Sequence, residues 1–510
     1  MEKKTNENPV VETRSGKLRG KYEDGLYVFR GIPFAAPPVG KLRWMPPAPV
    51  EPWSGVRSAE KFGPISLQPV MQMSFTGREP ENEPQDEDCL YLNVFSPGLD
   101  DERRPVMVWI HGGGYSMGSG SSSMHPGETL PKRGGIVMVS INYRLGVLGF
   151  LNLKEVTGGK IPATGNEGLL DQVAAIRWVR DNIAVFGGDP DNITIFGESA
   201  GAMSIGGLLA MPASKGLYQK AILQSGANTV RPLDEAVKVT ELFLKAFSVA
   251  GSDIDALMAL SPEKIISAQQ SFGMGIQQEG IKGAPSQPVV EGDVLPDYPL
   301  DAIAAGSARD VITLTGSNLD EMKIFRMRPE SSSSDEAEIV NRLQRLLPTE
   351  YIPGLISTYR DALAKRGTDT DPSEILTAVQ TDLQFRMPGV RVAEAQSSMN
   401  LPAYHYLFTW ESAMPGMGAS HGLDVGFVFG NMSAEFHGTG PDADRLAGII
   451  QDAWIAFART GDPSGSEAGK WPAYGSGRNT MILGRECRVE AAPYEQERRA
   501  WDNIPNMYLR

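Results

Sequence analysis

Apolar and polar positions fall in alternating blocks along the chain, and the blocks predict alternating strands and helices. Val106 to Ile110 (VMVWI) and Ile136 to Asn142 are almost unbroken apolar runs, the pattern of buried strands. Cys89 to Phe95, Asn192 to Phe196, Ala221 to Gln224 and Val311 to Thr315 read as further strands. Leu169 to Phe186 reads as a helix, because Leu170, Val173, Ile176, Val179 and Ile183 recur at three- and four-residue steps. Ala200 to Met211, small and apolar, suits a buried helix. Near the start, Val10 to Thr13, Lys17 to Lys21 and Leu26 to Phe29 read as short antiparallel strands, with turns at Ser15-Gly16 and Asp24-Gly25. Residues 31 to 53 are too rich in Pro for regular structure. Residues 65 to 88 form a polar loop with an acidic end, Glu81 to Asp88.

This alternation predicts the α/β class, with a mostly parallel central sheet and helices on both faces. Residues 232 to 305 and 330 to 400 read as mainly helical insertions that cap one side of a cleft. No linker or repeat divides the chain, so residues 1–510 are expected to form one domain. Ligands of such sheets bind outside the carboxyl ends of the strands. His111 to Gly114, Ser199, Ser225 and the segment after Thr315 are therefore expected to converge.

Composition narrows the partners. A hydrophobic content of 41% supports a large core, and a net charge of -14 with no basic cluster excludes nucleic acid and anionic membranes. No run approaches the roughly 18 apolar residues of a membrane span. The opening MEKKTNENPVVETRSG lacks the apolar core of a signal peptide. Cys89 and Cys487 have no metal-ligand spacing and are read as free thiols of a cytoplasmic protein.

The chemistry centres on Gly197-Glu198-Ser199-Ala200-Gly201. The pentapeptide G-x-S-x-G occurs at Ser116 and Ser420 as well, but only Ser199 has a strand before it and a helix after it. Side chains at 197 and 201 would crowd so tight a turn. Serine needs a base, and the base an orienting acid, in the chain order Ser, acid, His. His111 and His125 precede Ser199. His405 lies in an apolar strand and reads as structural, and His437 sits in a loop. His421, between a Gly-rich loop and an apolar stretch, is the candidate base. The acid should follow the strand 311–315, where Asp320 and Glu321 would both serve. Backbone N–H groups of Gly113, Gly114 and Ala200 could hold a developing oxyanion.

These residues belong to long stretches with a familiar look. FRGIPFAAPPVGKLRW, EDCLYLNVFSP, VMVWIHGGGY, INYRLGVLGFL, the run from Gly165 through GESAGA, AILQSGA, HGLDVGFVFG and AFARTGDP span nearly the whole chain. In them the chain resembles the type-B carboxylesterase/lipase family, which includes cholinesterases and bacterial para-nitrobenzyl esterases. The resemblance implies an α/β-hydrolase fold and hydrolysis of a small-molecule ester with no cofactor or metal. It implies Ser199 as nucleophile, His421 as base and Glu321, rather than Asp320, as acid. It implies Gly113, Gly114 and Ala200 as oxyanion donors, with Glu198 and Ser225 beside the triad. The oligomeric state stays open, a monomer included. The alternative is an inactive cholinesterase-like interaction protein, of which the family has examples.

Three departures from the family pattern stand out. The cysteine that secreted members pair with the equivalent of Cys89 is replaced here by Ser66, which fits an intracellular, bacterial-type enzyme. The loop from Ser66 to Glu87 has no Trp, so choline esters are poor candidates. Met322 replaces the Gly that usually follows the acid.

Overall fold

The computed structural model describes residues 8–69, 83–267, 276, 279–281, 283–327, 335–465 and 467–509. Its main sheet has eleven strands. In chain order they are β1 (Lys21–Glu23), β2 (Leu26–Pro33), β3 (Tyr91–Ser96), β4 (Arg104–Ile110), β5 (Val137–Ile141), β6 (Gly188–Glu198), β7 (Lys220–Gln224), β8 (Ile312–Asn318), β9 (Ala403–Phe408), β10 (Asn479–Leu483) and β11 (Arg488–Ala491). Across the sheet they run β11-β10-β9-β8-β7-β6-β4-β5-β3-β2-β1. From β10 to β5 every neighbouring pair is parallel, and both flanks are antiparallel. Val10–Thr13, Gly16–Arg19 and Val56–Ser58 form a separate small sheet.

The apolar runs become central strands because both faces of the sheet are covered. Along β4, Val106, Val108 and Ile110 face one core with Val173, Ile176 and Val179 of the helix Glu167–Asn182. Met107 and Trp109 face the other, with Trp454 and Phe457 of the helix Pro441–Thr460. Successive side chains of a strand point to opposite faces, so one strand feeds both cores.

Several element limits differ from the sequence reading. The expected strand Lys17 to Lys21 divides at Gly20, with Gly16–Arg19 in the small sheet and β1 in the large one. A Cβ on Gly20 would stand 2.5 Å from the Val28 carbonyl oxygen and 2.6 Å from the Phe29 ring, so the crossing needs a bare backbone. The Pro-rich segment begins as strand, since β2 continues to Pro33 past a register shift between Phe29 and Ile32. Phe34 to Trp53 then carries one 3-10 turn, Gly40–Leu42. The expected helix Leu169 to Phe186 is α-helix over Glu167–Asn182 and 3-10 over Ile183–Phe186. The expected loop 65–88 lies partly outside the described residues.

Between β7 and β8 run the helices Leu233–Phe247, Ile254–Met258 and Pro299–Ala304. Between β8 and β9 run Glu336–Gln344, Ile352–Lys365, Pro372–Thr381 and Met387–Ser398, the last two joined by a π-helical turn, Asp382–Arg386.

The parallel register sets the working end of the sheet. Ile110 pairs with Gly197, Glu198 with Gln224, and Gln224 with Gly316. The carboxyl ends of β4, β6, β7 and β8 are therefore level. Strand order also reverses here, with β5 on one side of β4 and β6 on the other, the place where open α/β sheets bind ligands.

Candidate active site

β6 ends at Glu198 and the helix Ala200–Ala210 begins two residues later, leaving Ser199 alone at the apex. Ser199 has φ 55° and ψ −126°, a conformation costly for a residue with a side chain and held by its surroundings. Its N–H donates to the Gln224 carbonyl at 3.0 Å, and its carbonyl accepts from Met203 at 2.8 Å. The flanking glycines are sterically required. A Cβ on Gly201 would stand 2.0 Å from the Ile110 oxygen, and one on Gly197 2.6 Å from the same atom.

His421, which follows β9, brings Nε2 to 2.8 Å from Ser199 Oγ. Its Nδ1 lies 2.6 Å from Glu321 Oε2, just beyond β8. Glu321 is fully buried, and its other oxygen accepts the Asn318 N–H at 2.7 Å. Asn318 also donates from Nδ2 to the Ser420 carbonyl at 2.8 Å, so it ties the acid to the loop of the histidine. Asp320 points elsewhere: Oδ2 accepts the Ala419 N–H at 2.9 Å and Oδ1 pairs with Lys323 at 2.8 Å. Of the two acids that follow the strand, Glu321 thus lies on the imidazole and Asp320 on the neighbouring backbone and Lys323.

Glu198 is buried, and its Oε1 lies 3.2 Å from His421 Nε2. Burial raises the Glu198 carboxyl well above the ordinary range. Burial works against charge on His421, but the Glu198 and Glu321 carboxylates outweigh it and raise the imidazole above its usual value. Ser225 is fully buried at the end of β7 with φ 55°, and its Oγ has no partner among the described residues.

The turn after β4 comes up beside the serine. A Cβ on Gly112 would stand 3.1 Å from Ser199 Cβ. Gly113 and Gly114 have φ of 110° and 61°, and Ala200 opens its helix, where an N–H has no intrahelical partner.

The other candidates fall away. Ser116 Oγ donates to the Gly114 carbonyl at 3.3 Å, and Ser420 is fully buried. Burial pushes His111 down to about 4 and His125 and His405 to about 3, so all three are neutral structural rings. His405 Nδ1 and Thr315 Oγ1 lie 2.8 Å apart, and His437 Nδ1 accepts the Ser433 N–H at 2.9 Å. Among the described residues no group of three or more His, Cys, Asp or Glu is placed to hold a metal, and no helix is long and apolar enough to cross a membrane.

Two features escaped the sequence reading. Phe385, on the π-helical turn, and Phe325 flank the His421 ring at centroid distances of 4.6 Å and 5.5 Å. Asp424 accepts from Gln224 Nε2 at 2.8 Å and Tyr406 Oη at 3.2 Å behind the triad. A lone Phe in a helical stretch carries no signal of its partner. Asp424 at least sat within the recognised stretch HGLDVGFVFG.

Known proteins resemble this chain along nearly its whole length. The model of the carboxylesterase family matches residues 7–501. The para-nitrobenzyl esterase of Bacillus subtilis (strain 168) is 39% identical over 96% of this chain and 97% of its own. The phenmedipham hydrolase of Pseudarthrobacter oxydans is 36% identical over 91% of this chain and 93% of its own. Among solved structures, the Geobacillus stearothermophilus carboxylesterase EST55 superposes with a TM-score of 0.87 at 39% identity, covering 97% of this chain and all of that one. The fold is that of the α/β-hydrolases, and the chain belongs to the carboxylesterase family of carboxylic ester hydrolases.

Proposed function

We propose that Ser199 is the nucleophile, His421 its base and Glu321 the orienting acid of an esterase working through an acyl-enzyme. Ser199 Oγ bonds to the ester carbonyl carbon as His421 Nε2 takes the hydroxyl proton, and the carbonyl electron pair moves onto oxygen. The N–H groups of Gly113, Gly114 and Ala200 receive that oxyanion. The intermediate collapses, the alcohol leaves with the proton from His421, and water repeats the sequence on the acyl group. Glu321 holds the imidazole tautomer and stabilises its cation. Glu198 and Ser225 lie behind and shape the field around it. The observation that supports this most directly is the relay of 2.8 Å and 2.6 Å through one imidazole.

The alcohol side of the ester must sit beside His421, which returns the proton. Phe325 and Phe385 flank that ring, and a 39% identical relative is named for para-nitrobenzyl esters. Esters of aryl or benzyl alcohols are the proposed substrate class. We take residues 1–510 as one catalytic domain, with insertions at about 232–305 and 330–400. The contact of Phe385 with His421 supports a capping role for the second. Two free cysteines, with Ser66 hydrogen-bonded to Cys89 where a second thiol was expected in secreted members, support a bacterial, cytoplasmic enzyme. Nothing favours the inactive interaction protein, since the relatives named above are hydrolases.

Ser199→Ala is expected to lose on the order of 10⁴-fold or more in kcat without unfolding, because triad members act as a unit. An organophosphate should label Ser199 and leave Ser116 and Ser420 unmodified. Label on either of those, or an active variant, refutes the assignment.

A further inference from the structure

The turn that carries Gly113 and Gly114 is fastened by a side chain from a different segment. The Gly118 N–H donates to Gln68 Oε1 at 2.8 Å, and Gln68 Nε2 donates to the Gly118 carbonyl at 3.0 Å. One carboxamide thus takes both polar groups of one residue. Gln68 is itself held, since Nε2 also donates to the Ser66 carbonyl at 3.0 Å and its N–H donates to Gln85 Oε1 at 2.9 Å.

Gly118 closes the turn. The N–H groups of Ser116 and Met117 both donate to the Gly113 carbonyl at 3.1 Å. Gly118, with φ 106°, then folds back so far that a Cβ there would stand 2.5 Å from His111 Nδ1 and 2.6 Å from the Gly112 oxygen. Two other anchors hold the near side of the turn: Tyr143 Oη donates to the His111 carbonyl at 2.8 Å, and the Gly146 N–H donates to the Tyr115 carbonyl at 2.7 Å. The far side is held at Gly118, by Gln68. Four glycines among residues 112–118 make this backbone soft, because glycine has no Cβ to narrow its choices. An oxyanion donor works only when its N–H lies about 2.7–3.1 Å from the position the oxygen will take.

We propose that Gln68 is a positioning residue for ester hydrolysis: by clamping Gly118 it fixes the direction in which the Gly113 and Gly114 N–H groups point. The proposal rests on the reading of those two groups as oxyanion donors. Gln68 touches neither substrate nor the triad and acts through the turn.

The test compares Gln68→Ala and Gln68→Glu with the parent protein. Removing a whole oxyanion donor costs on the order of 10²–10³ in kcat. Loosening the turn is expected to cost Gln68→Ala on the order of tenfold or more in kcat, with KM and thermal midpoint nearly unchanged. Gln68→Glu keeps the acceptor for the Gly118 N–H and loses the donor, so its kcat should lie between. An aryl trifluoromethyl ketone gives a second reading. Ser199 Oγ adds to its carbonyl carbon, His421 takes the proton, and the oxygen becomes an oxyanion in the same place. Its affinity should fall in parallel with kcat/KM across the two variants. An unchanged kcat in Gln68→Ala, or a lowered kcat with undiminished ketone affinity, overturns the proposal. Should Gln68→Ala fail to fold, the same two measurements on Gln68→Glu decide it. A parent protein that forms no tight ketone adduct overturns the donor reading, and this proposal with it; tight binding by parent and variants alike overturns the proposal alone.

Discussion

At Asp320 and Glu321 one step of backbone separates two carboxylates with different work. Glu321 is sealed from solvent against His421, while Asp320 holds the Ala419 N–H and Lys323. A neutral isostere at Glu321 keeps the shape but no longer stabilises the imidazolium. Glu321→Gln is expected to lose on the order of 10³-fold or more in kcat, by analogy with the acid of other Ser-His triads. Asp320→Asn can still accept from Ala419 and loses an ion pair about three-quarters buried, so it should stay within about tenfold. Measuring kcat on one ester, with folding checked by circular dichroism, separates them; a crippled Asp320→Asn beside a near-normal Glu321→Gln would reverse the assignment. Glu198 belongs to the same scale. His421 accepts a proton only when neutral, and the carboxylates of Glu198, Glu321 and Asp424 hold its pKa above the usual value. Activity should therefore rise with pH through a point above about 6.5, the ordinary imidazole value. Glu198→Gln removes the largest of the raising charges, so the acid limb of kcat/KM should move to lower pH. A limb that stays put or moves up contradicts this account of Glu198.

Among elements, the strand and helix that meet at the serine were readable because their residues obey one rule each. β4 and β5 are almost unbroken apolar runs since both faces are covered, and the glycines at 197 and 201 mark the place where strand, turn and helix share space. What could not be read were limits set by partners. β6 extends from Gly188 to Glu198, well past Asn192 to Phe196, because its polar ends pair with Arg104 and Gln224. Gln68 was one polar residue in a polar loop, and its partner Gly118 lies 50 residues away. Phe385 was invisible for the same reason. Gly201 allows a test at this scale. Alanine gains at most about 1 kcal/mol over glycine in a helix, and less in the first turn where Gly201 lies, whereas overpacking typically costs about 1–3 kcal/mol. The Cβ would meet the Ile110 oxygen at 2.0 Å, a backbone atom that cannot rotate away. Gly201→Ala should therefore lower both the melting midpoint and kcat, as Ile110 carries the start of the oxyanion turn. A variant that melts and turns over like the parent would mean the contact relaxes freely.

For the molecule as a whole, the motifs gave the family and the alternation gave the sheet, yet neither gave the way distant segments close on one another. Cys89 shows the difference. Its thiol is buried, with its pKa pushed up to about 12 by burial, and Ser66 hydrogen-bonds to it. The resemblance already placed Ser66 where the partner cysteine would stand, but not the hydrogen bond it makes to the buried thiol. The triad shows it more fully. His421 is 222 residues from Ser199 and 100 from Glu321 along the chain. Their meeting depends on β6, β7, β8 and β9 standing side by side with their ends level. Contacts between such remote segments carry the loop-closure cost that slows folding. No partly collapsed form, however rich in helix, can assemble that relay. Hydrolysis is thus a property of assembled topology: a chain emerging from denaturant stays silent at least until β6, β7, β8 and β9 stand side by side, and its first turnover comes no earlier than that.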